Sequence, residues 1–204
     1  MEFQTYFNLL IVLLFGLIWI VIVMFLRLKE KKSFVYLIFF TVFYAYIVKV
    51  LDYTLLQFQS IILLRYFMPG LMLQGQAAGK SLNLIPLITL TPEDIKTSFL
   101  NILLLIPFGF GLPFITNFRM KRVVVMGALV SIVIELLQLM SGLVANLTFR
   151  VADINDVIFN TIGALIGYLL FVAFVRAYSR LSRNWKISAN PILQYIALRP
   201  QIDR

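Results

Sequence analysis

Long apolar runs separated by short basic stretches dominate the chain, and this pattern predicts five membrane-spanning helices. Residues 3–26 carry no charge, and the run exceeds the roughly 20 residues needed to cross a hydrocarbon core. A secretory leader would carry a basic stretch ahead of a shorter apolar core and small residues behind it. Here Glu2 precedes the run and Arg27-Leu28-Lys29-Glu30-Lys31-Lys32 follows it, which points to a retained span. A second span starts near Ser33 and is free of charge up to Lys49, a third covers about 97–118, a fourth about 123–142 and a fifth about 157–175. Thr91-Pro92-Glu93-Asp94 combines a capping hydroxyl, a proline suited to the first helical position and acids for the first turn, so the third helix is expected to begin there. Asp153 stands ahead of the fifth helix as its candidate N-cap. In the connection from 52 to 96, residues 55–68 are mostly apolar and stop at Pro69-Gly70. They suit an extension of the second span, an interfacial segment or a re-entrant one, and 74–80 reads as a flexible loop.

Orientation follows from Lys and Arg in the short connections, which favour the cytoplasmic side. Arg27, Lys29, Lys31 and Lys32 follow the first span, and Arg119, Lys121 and Arg122 follow the third. Arg176, Arg180, Arg183, Lys186, Arg199 and Arg204 occupy the tail, whereas Arg150 is the basic residue of the connection after the fourth span. The N-terminus is therefore expected outside and the C-terminus inside. The fold class is an all-α integral membrane bundle: a transmembrane domain at 1–175 and a basic cytoplasmic or interfacial tail at 176–204. Arg176, Arg180 and Arg183 share a helical face of that tail, with Leu181, Trp185 and Ile187 available to the interface, a pattern suited to anionic lipid.

Composition agrees. Hydrophobic residues make up 61% and charged residues 13%, against about 45–50% and about 25% in soluble domains. The net charge of +9 flanks apolar spans, which assigns it to topology and lipid phosphates and not to nucleic acid. With neither Cys nor His in the chain, disulfides, thiolate sites and imidazole catalysis are excluded. Any chemistry falls to carboxylates, amides, hydroxyls, Lys or Arg.

Polar residues inside the spans form stripes. Gly127, Ser131, Glu135, Gln138 and Gly142 line one face of the fourth span; Asp156, Asn160, Gly163 and Gly167 line one face of the fifth. The two stripes are expected to face each other or a shared interior, and Gly163 and Gly167, four apart, to allow close approach of another helix. Each intramembrane ionisable group costs roughly 2.5–3.5 kcal/mol on insertion scales and needs a partner or a wet cavity. At about 1.5 Å per residue, Glu135 lies roughly 18 Å from the cytoplasmic end of its span and Lys49 roughly 24 Å. Lys49, Asn101, Glu135, Gln138 and Asn160 then share one outer-leaflet layer, with Lys49 or Arg150 as counter-ion to Glu135. Pro107 removes a helix donor and, with Gly109, Gly111 and Pro113, predicts a bent or broken third helix below that layer.

Four blocks in order carry a family resemblance: Asn83-Leu84-Ile85-Pro86; Asn101-Ile102-Leu103-Leu104-Leu105-Ile106-Pro107-Phe108-Gly109-Phe110; Ser131 with Glu135-Leu136-Leu137-Gln138; and Arg150 with Asp153-Ile154-Asn155-Asp156 through Asn160 to Gly163 and Gly167-Tyr168. Over about 83–170 the chain resembles the VanZ-like family, although Val151-Ala152 stands where the family more often has an aromatic before the Asp. The resemblance implies a bacterial plasma-membrane protein linked to teicoplanin-type glycopeptide resistance, and it makes the Asn83–Pro86 loop a candidate lid over the polar layer.

Three functions fit these residues. The first is binding or shielding: an outer-leaflet cavity lined by Lys49, Asn83, Asn101, Glu135, Gln138, Arg150, Asp153, Asp156 and Asn160 that engages membrane lipids, a lipid-linked envelope precursor or a lipoglycopeptide. The second is an intramembrane enzyme in which Glu135 is a general base, Asp153 and Asp156 serve as acid or as Mg²⁺ ligands, and Lys49 or Arg150 holds phosphate. The third, a small transporter, is weakest because the polar layer stops in the outer half. Each residue also has a structural reading, as helix clamp, cap or loop former, and no particular cofactor is implied. The first function is the one the sequence favours.

Overall fold

Five helices long and apolar enough to cross a membrane make up the computed structural model, which describes residues 2–56, 82–86, 92–145, 152–182 and 190–197. They are α1 (Glu2–Leu28), α2 (Phe34–Leu51), α3 (Pro92–Ile115), α4 (Met120–Ala145) and α5 (Ile154–Ser182), followed by a short α6 (Pro191–Ala197). Two-residue strands, β1 (Leu82–Asn83) and β2 (Ala152–Asp153), pair in parallel with Leu82 opposite Ala152 and Asn83 opposite Asp153. Most of the long connection after the second span, Arg150 and the tail segment with Arg183, Trp185 and Ile187 lie outside the described residues.

Helix boundaries follow local chemistry. The Ser33 hydroxyl accepts from Tyr36 N at 3.2 Å and caps α2, while α3 starts at Pro92, where a missing N–H costs nothing. At its far end α2 widens into a π-type turn, Asp52–Leu56. Pro107 and Pro113 do not break α3, which runs unbroken from Pro92 to Ile115. Packing on both sides holds it: the Tyr46 hydroxyl donates to Leu104 O at 2.6 Å, and α5 lies directly against it.

That contact is backbone on backbone. A Cβ at Gly163 would stand 2.2 Å from Ile102 O, one at Gly167 2.0 Å from Ile106 O, and one at Gly109 1.9 Å from Ala164 O. Only hydrogen at these positions lets the helix axes come so close, the small-residue route to association in lipid. Residue numbers rise together along the two helices, so α3 and α5 run parallel. Across α5, a Cβ at Gly127 of α4 would meet the Ala164 methyl at 2.5 Å. The stripes of the fourth and fifth spans do face each other, but Gly163 and Gly167 serve α3 and not α4.

The bundle divides along its length. One end carries Arg27–Lys32, Arg119–Arg122, Arg176 and Arg180 and is the basic end. Beside it lies the apolar core, with Leu105, Phe108, Leu112, Phe114, Val123, Phe171 and Val175 buried. The opposite end carries the β1–β2 ladder and the buried polar residues Thr54, Ser98, Asn101, Ser131, Glu135, Gln138 and Asn160. At the basic end α6 folds back: the Tyr195 hydroxyl donates to Phe114 O, and its ring stacks on Phe39. By contrast α1 buries none of its span. Trp19 Nε1 donates to Thr41 Oγ1 at 3.1 Å and the Tyr44 hydroxyl to Phe15 O at 2.7 Å, tying it to α2.

Overpacking at a closed contact costs about 1–3 kcal/mol or more, so Gly167→Val is expected to lower the thermal stability of the detergent-solubilised protein by at least that much. Gly16→Val, at a position with nothing within 4 Å, is expected to stay within about 0.5 kcal/mol of the parent. Thermal unfolding followed by size-exclusion chromatography measures both.

Candidate functional site

At the ladder end, a loop, a helix start and a buried acid are joined by one run of hydrogen bonds. Asn83 Oδ1 accepts from Ile85 N at 3.1 Å and closes a turn over Asn83-Leu84-Ile85, the local bonding that suits Asn to loops. Asn83 Nδ2 donates to Asp153 Oδ2 at 3.1 Å, across 70 residues of sequence. The other oxygen, Oδ1, accepts from Asn155 N at 2.8 Å and caps α5. Asp153 N in turn donates to Glu135 Oε2 at 3.2 Å. Glu135 thus reaches the loop through the Asp153 backbone, and both Asp153 oxygens accept bonds.

A turn deeper, Asn160 Nδ2 donates to Ser131 Oγ at 2.8 Å, linking α5 to α4 where Asn160 is 2% exposed and Ser131 fully buried. Asn160 Oδ1 and Asn101 Nδ2, both buried, have no hydrogen-bond partner among the described residues. The register that sets Gly163 against Ile102 brings Asn101 and Asn160 to nearly the same level of the α3–α5 pair. An acceptor and a donor therefore lie at a similar depth with no partner among the described residues, and unmade bonds of this kind cost about 1–3 kcal/mol each. On the α2 side, Gln138 Nε2 donates to Thr54 O at 3.3 Å while Thr54 Oγ1 bonds back to Val50 O at 2.7 Å.

Of the residues singled out in the sequence, Asn83, Glu135 and Asp153 form one chain of bonds, Asn160 joins Ser131, and Gln138 anchors the end of α2. Asn101 is buried at the same end, and Asp156 is half-buried in the first turn of α5. Lys49 does not approach Glu135. Its ammonium is 3.0 Å from Asp52 Oδ2, with the side chain 80% exposed. The reason is local: Asp52 lies three residues on, one turn along the same helix, and pairing there spares Lys49 the desolvation of an inward reach. Arg150 lies outside the described residues. Thr54 was not foreseen; the signal was a hydroxyl four residues after a carbonyl it can bond. Among the described residues no group of three carboxylates gathers to hold a metal.

A bundle of five apolar spans with a cluster of amides and carboxylates at one end defines a multi-pass helical membrane protein with a built polar site. The profile of the VanZ/LLP1 family matches residues 53–176, more than half of the 204 residues, and the chain belongs to that family. Neither the curated proteins nor the solved structures contain a match. The matched region contains β1, α3, α4, β2 and nearly all of α5, whereas α1 and α2 lie ahead of it.

Ser131→Ala strands Asn160 Nδ2 and is expected to cost about 1–3 kcal/mol, part of which returns in the double variant Ser131→Ala/Asn160→Leu, where both partners are gone. Lys49→Ala breaks an exposed ion pair and is expected to change stability by no more than about 0.5 kcal/mol. Thermal unfolding of the variants in one detergent checks the cycle and the single substitution together.

Proposed function

We propose that this VanZ-family protein resides in a bacterial plasma membrane with its polar cluster in the outer leaflet, where the cluster engages the polar part of an envelope lipid, a lipid-linked precursor or a lipoglycopeptide. The observation that carries the reading is the convergence of Asn83, Glu135, Asp153 and Asn160 at the end of the bundle opposite the basic end. By the charge rule that end faces outward. Amides and carboxylates there offer both donors and acceptors to a headgroup or peptide, while the helices beside them offer lipid-like walls to its chain.

Membership in the family supports a part in glycopeptide resistance of the teicoplanin type, through occupation or shielding of the target and without a bond being made or broken. Asn101 Nδ2 and Asn160 Oδ1, without a partner among the described residues, supply buried groups that a ligand can satisfy. The loop held by Asn83 covers the site as a lid whose position is set by Asp153.

The test is teicoplanin susceptibility of cells expressing the parent, Glu135→Ala, Asn160→Ala or Lys49→Ala at matched membrane levels. Glu135→Ala and Asn160→Ala are expected to return susceptibility to that of cells lacking the protein, and Lys49→Ala to protect as the parent does. Full protection by the first two variants would sink the assignment of this site.

A further inference from the structure

An apolar concavity lies in the half of the bundle toward the basic end. It has a volume of about 270 Å³ and is enclosed by α2, α3, α5 and α6 through Phe39, Phe43, Gly111, Phe114, Phe174 and Ile196. An apolar cavity of about 150 Å³ already suffices to bind a benzene ring, so this one accommodates a longer hydrocarbon segment. Glycine makes room for it: a Cβ at Gly111 would come within 2.8 Å of the Phe43 ring. Stacked rings give it a firm wall, with Phe39 and Phe114 4.7 Å apart and nearly parallel. At the basic end α6 forms its floor, with Ile196 buried against the core.

Three observations fix the occupant. First, depth: Phe39 and Phe43 lie six and ten residues beyond Ser33, about 9–15 Å into α2 at 1.5 Å per residue, within hydrocarbon. Second, access: Val42, on the rim, is 66% exposed and Phe174 41% exposed, on helices that face lipid, so the mouth opens sideways into the bilayer. Third, charge: Arg27, Lys29, Lys31, Lys32, Arg119, Lys121, Arg122, Arg176 and Arg180 gather at this end, opposed by Glu30 among the described residues. A cationic rim of this kind attracts anionic headgroups by about 1 kcal/mol per residue near the surface.

We propose that this pocket seats one acyl chain of an anionic phospholipid from the leaflet at the basic end, its headgroup held by the surrounding Lys and Arg and its chain lying between α2 and α3 above α6. The site is separate from the polar cluster and does not rest on the reading given to that cluster. Seated there, the chain packs against aromatic walls that plain lipid contact does not provide, so it is expected to exchange more slowly than annular lipid.

The test reconstitutes the full chain in vesicles of phosphatidylcholine containing phosphatidylglycerol with a diazirine in one acyl chain, irradiates them, and maps the adducts by mass spectrometry. Labelling on residues 39–46 and 107–114 is expected to exceed by several-fold that on residues 12–21 of the lipid-facing α1. Gly111→Leu and Val42→Trp, which fill the pocket and block its rim, are each expected to reduce that excess several-fold while α1 labelling stays constant; the rim variant decides the matter if the first fails to fold. Labelling equal to that of α1, an excess untouched by Val42→Trp, equal labelling by a phosphatidylcholine probe, or a chain-to-chain adduct showing a second copy in the pocket would each overturn the proposal. Full loss of teicoplanin protection in Glu135→Ala leaves these outcomes unchanged, so the two sites fail separately.

Discussion

The contact on which the structure depends is the one between α3 and α5, where Gly163 and Gly167 meet the carbonyls of Ile102 and Ile106, and Gly109 meets Ala164. Lipid gives no hydrophobic reward for burying one apolar helix against another, so helices associate through close packing and interhelical bonds. Glycine admits the closest packing, and three of them fix the relative height of the two helices. With that height fixed, the residues ahead of each helix meet as β1 and β2, and Asn83 falls opposite Asp153. α4 then fits alongside, its Gly127 against Ala164 and its Ser131 against Asn160, which brings Glu135 up to the backbone of Asp153.

The same arrangement separates two kinds of stabilisation. Toward the basic end the bundle is held by rings and branched chains, with Phe114 near the centre of several aromatic contacts. Toward the ladder end it is held by amides and carboxylates, each bond specifying its partner. A protein held together by apolar packing throughout would be as firm, but it would present no donors or acceptors to a polar ligand. Apolar packing is thus concentrated in one half and directional bonding in the other, joined by continuous helices.

Much of this was legible in the residues. Five apolar runs gave five helices because a hydrocarbon solvent leaves a chain little choice of spanning structure, and Thr91-Pro92 marked the true start of α3. Asp153 ahead of the fifth span did become its cap. The single-stripe pattern of Ser131 and Asn160 correctly implied a shared interior. Less legible was anything decided by competition between partners. Lys49 had Glu135 at its own depth, yet Asp52 one turn away was the cheaper partner. Gly163 and Gly167 announced close approach without naming the helix approached. Pro107 predicted a bent or broken helix, yet α3 runs through it without a break, with the Tyr46 hydroxyl on the neighbouring Leu104 carbonyl. The parallel β1–β2 pair, two residues long, has no periodicity from which to read it.

The parallel course of α3 and α5 has a consequence for how the protein comes into being. Two parallel spans need a returning helix between them, and Asn83 waits for a partner 70 residues further along the chain. At about 5–20 residues per second of synthesis that interval is roughly 4–14 s, during which α3 and α4 enter the membrane ahead of α5. The apolar wall of the bundle can begin to gather around α2 and α3, whereas the ladder, the capped Asp153 and the tether to Glu135 all require the last span. The polar cluster therefore cannot be completed before α5 is in place, and a chain truncated before α5 inserts would carry its buried acid with no ladder to receive it.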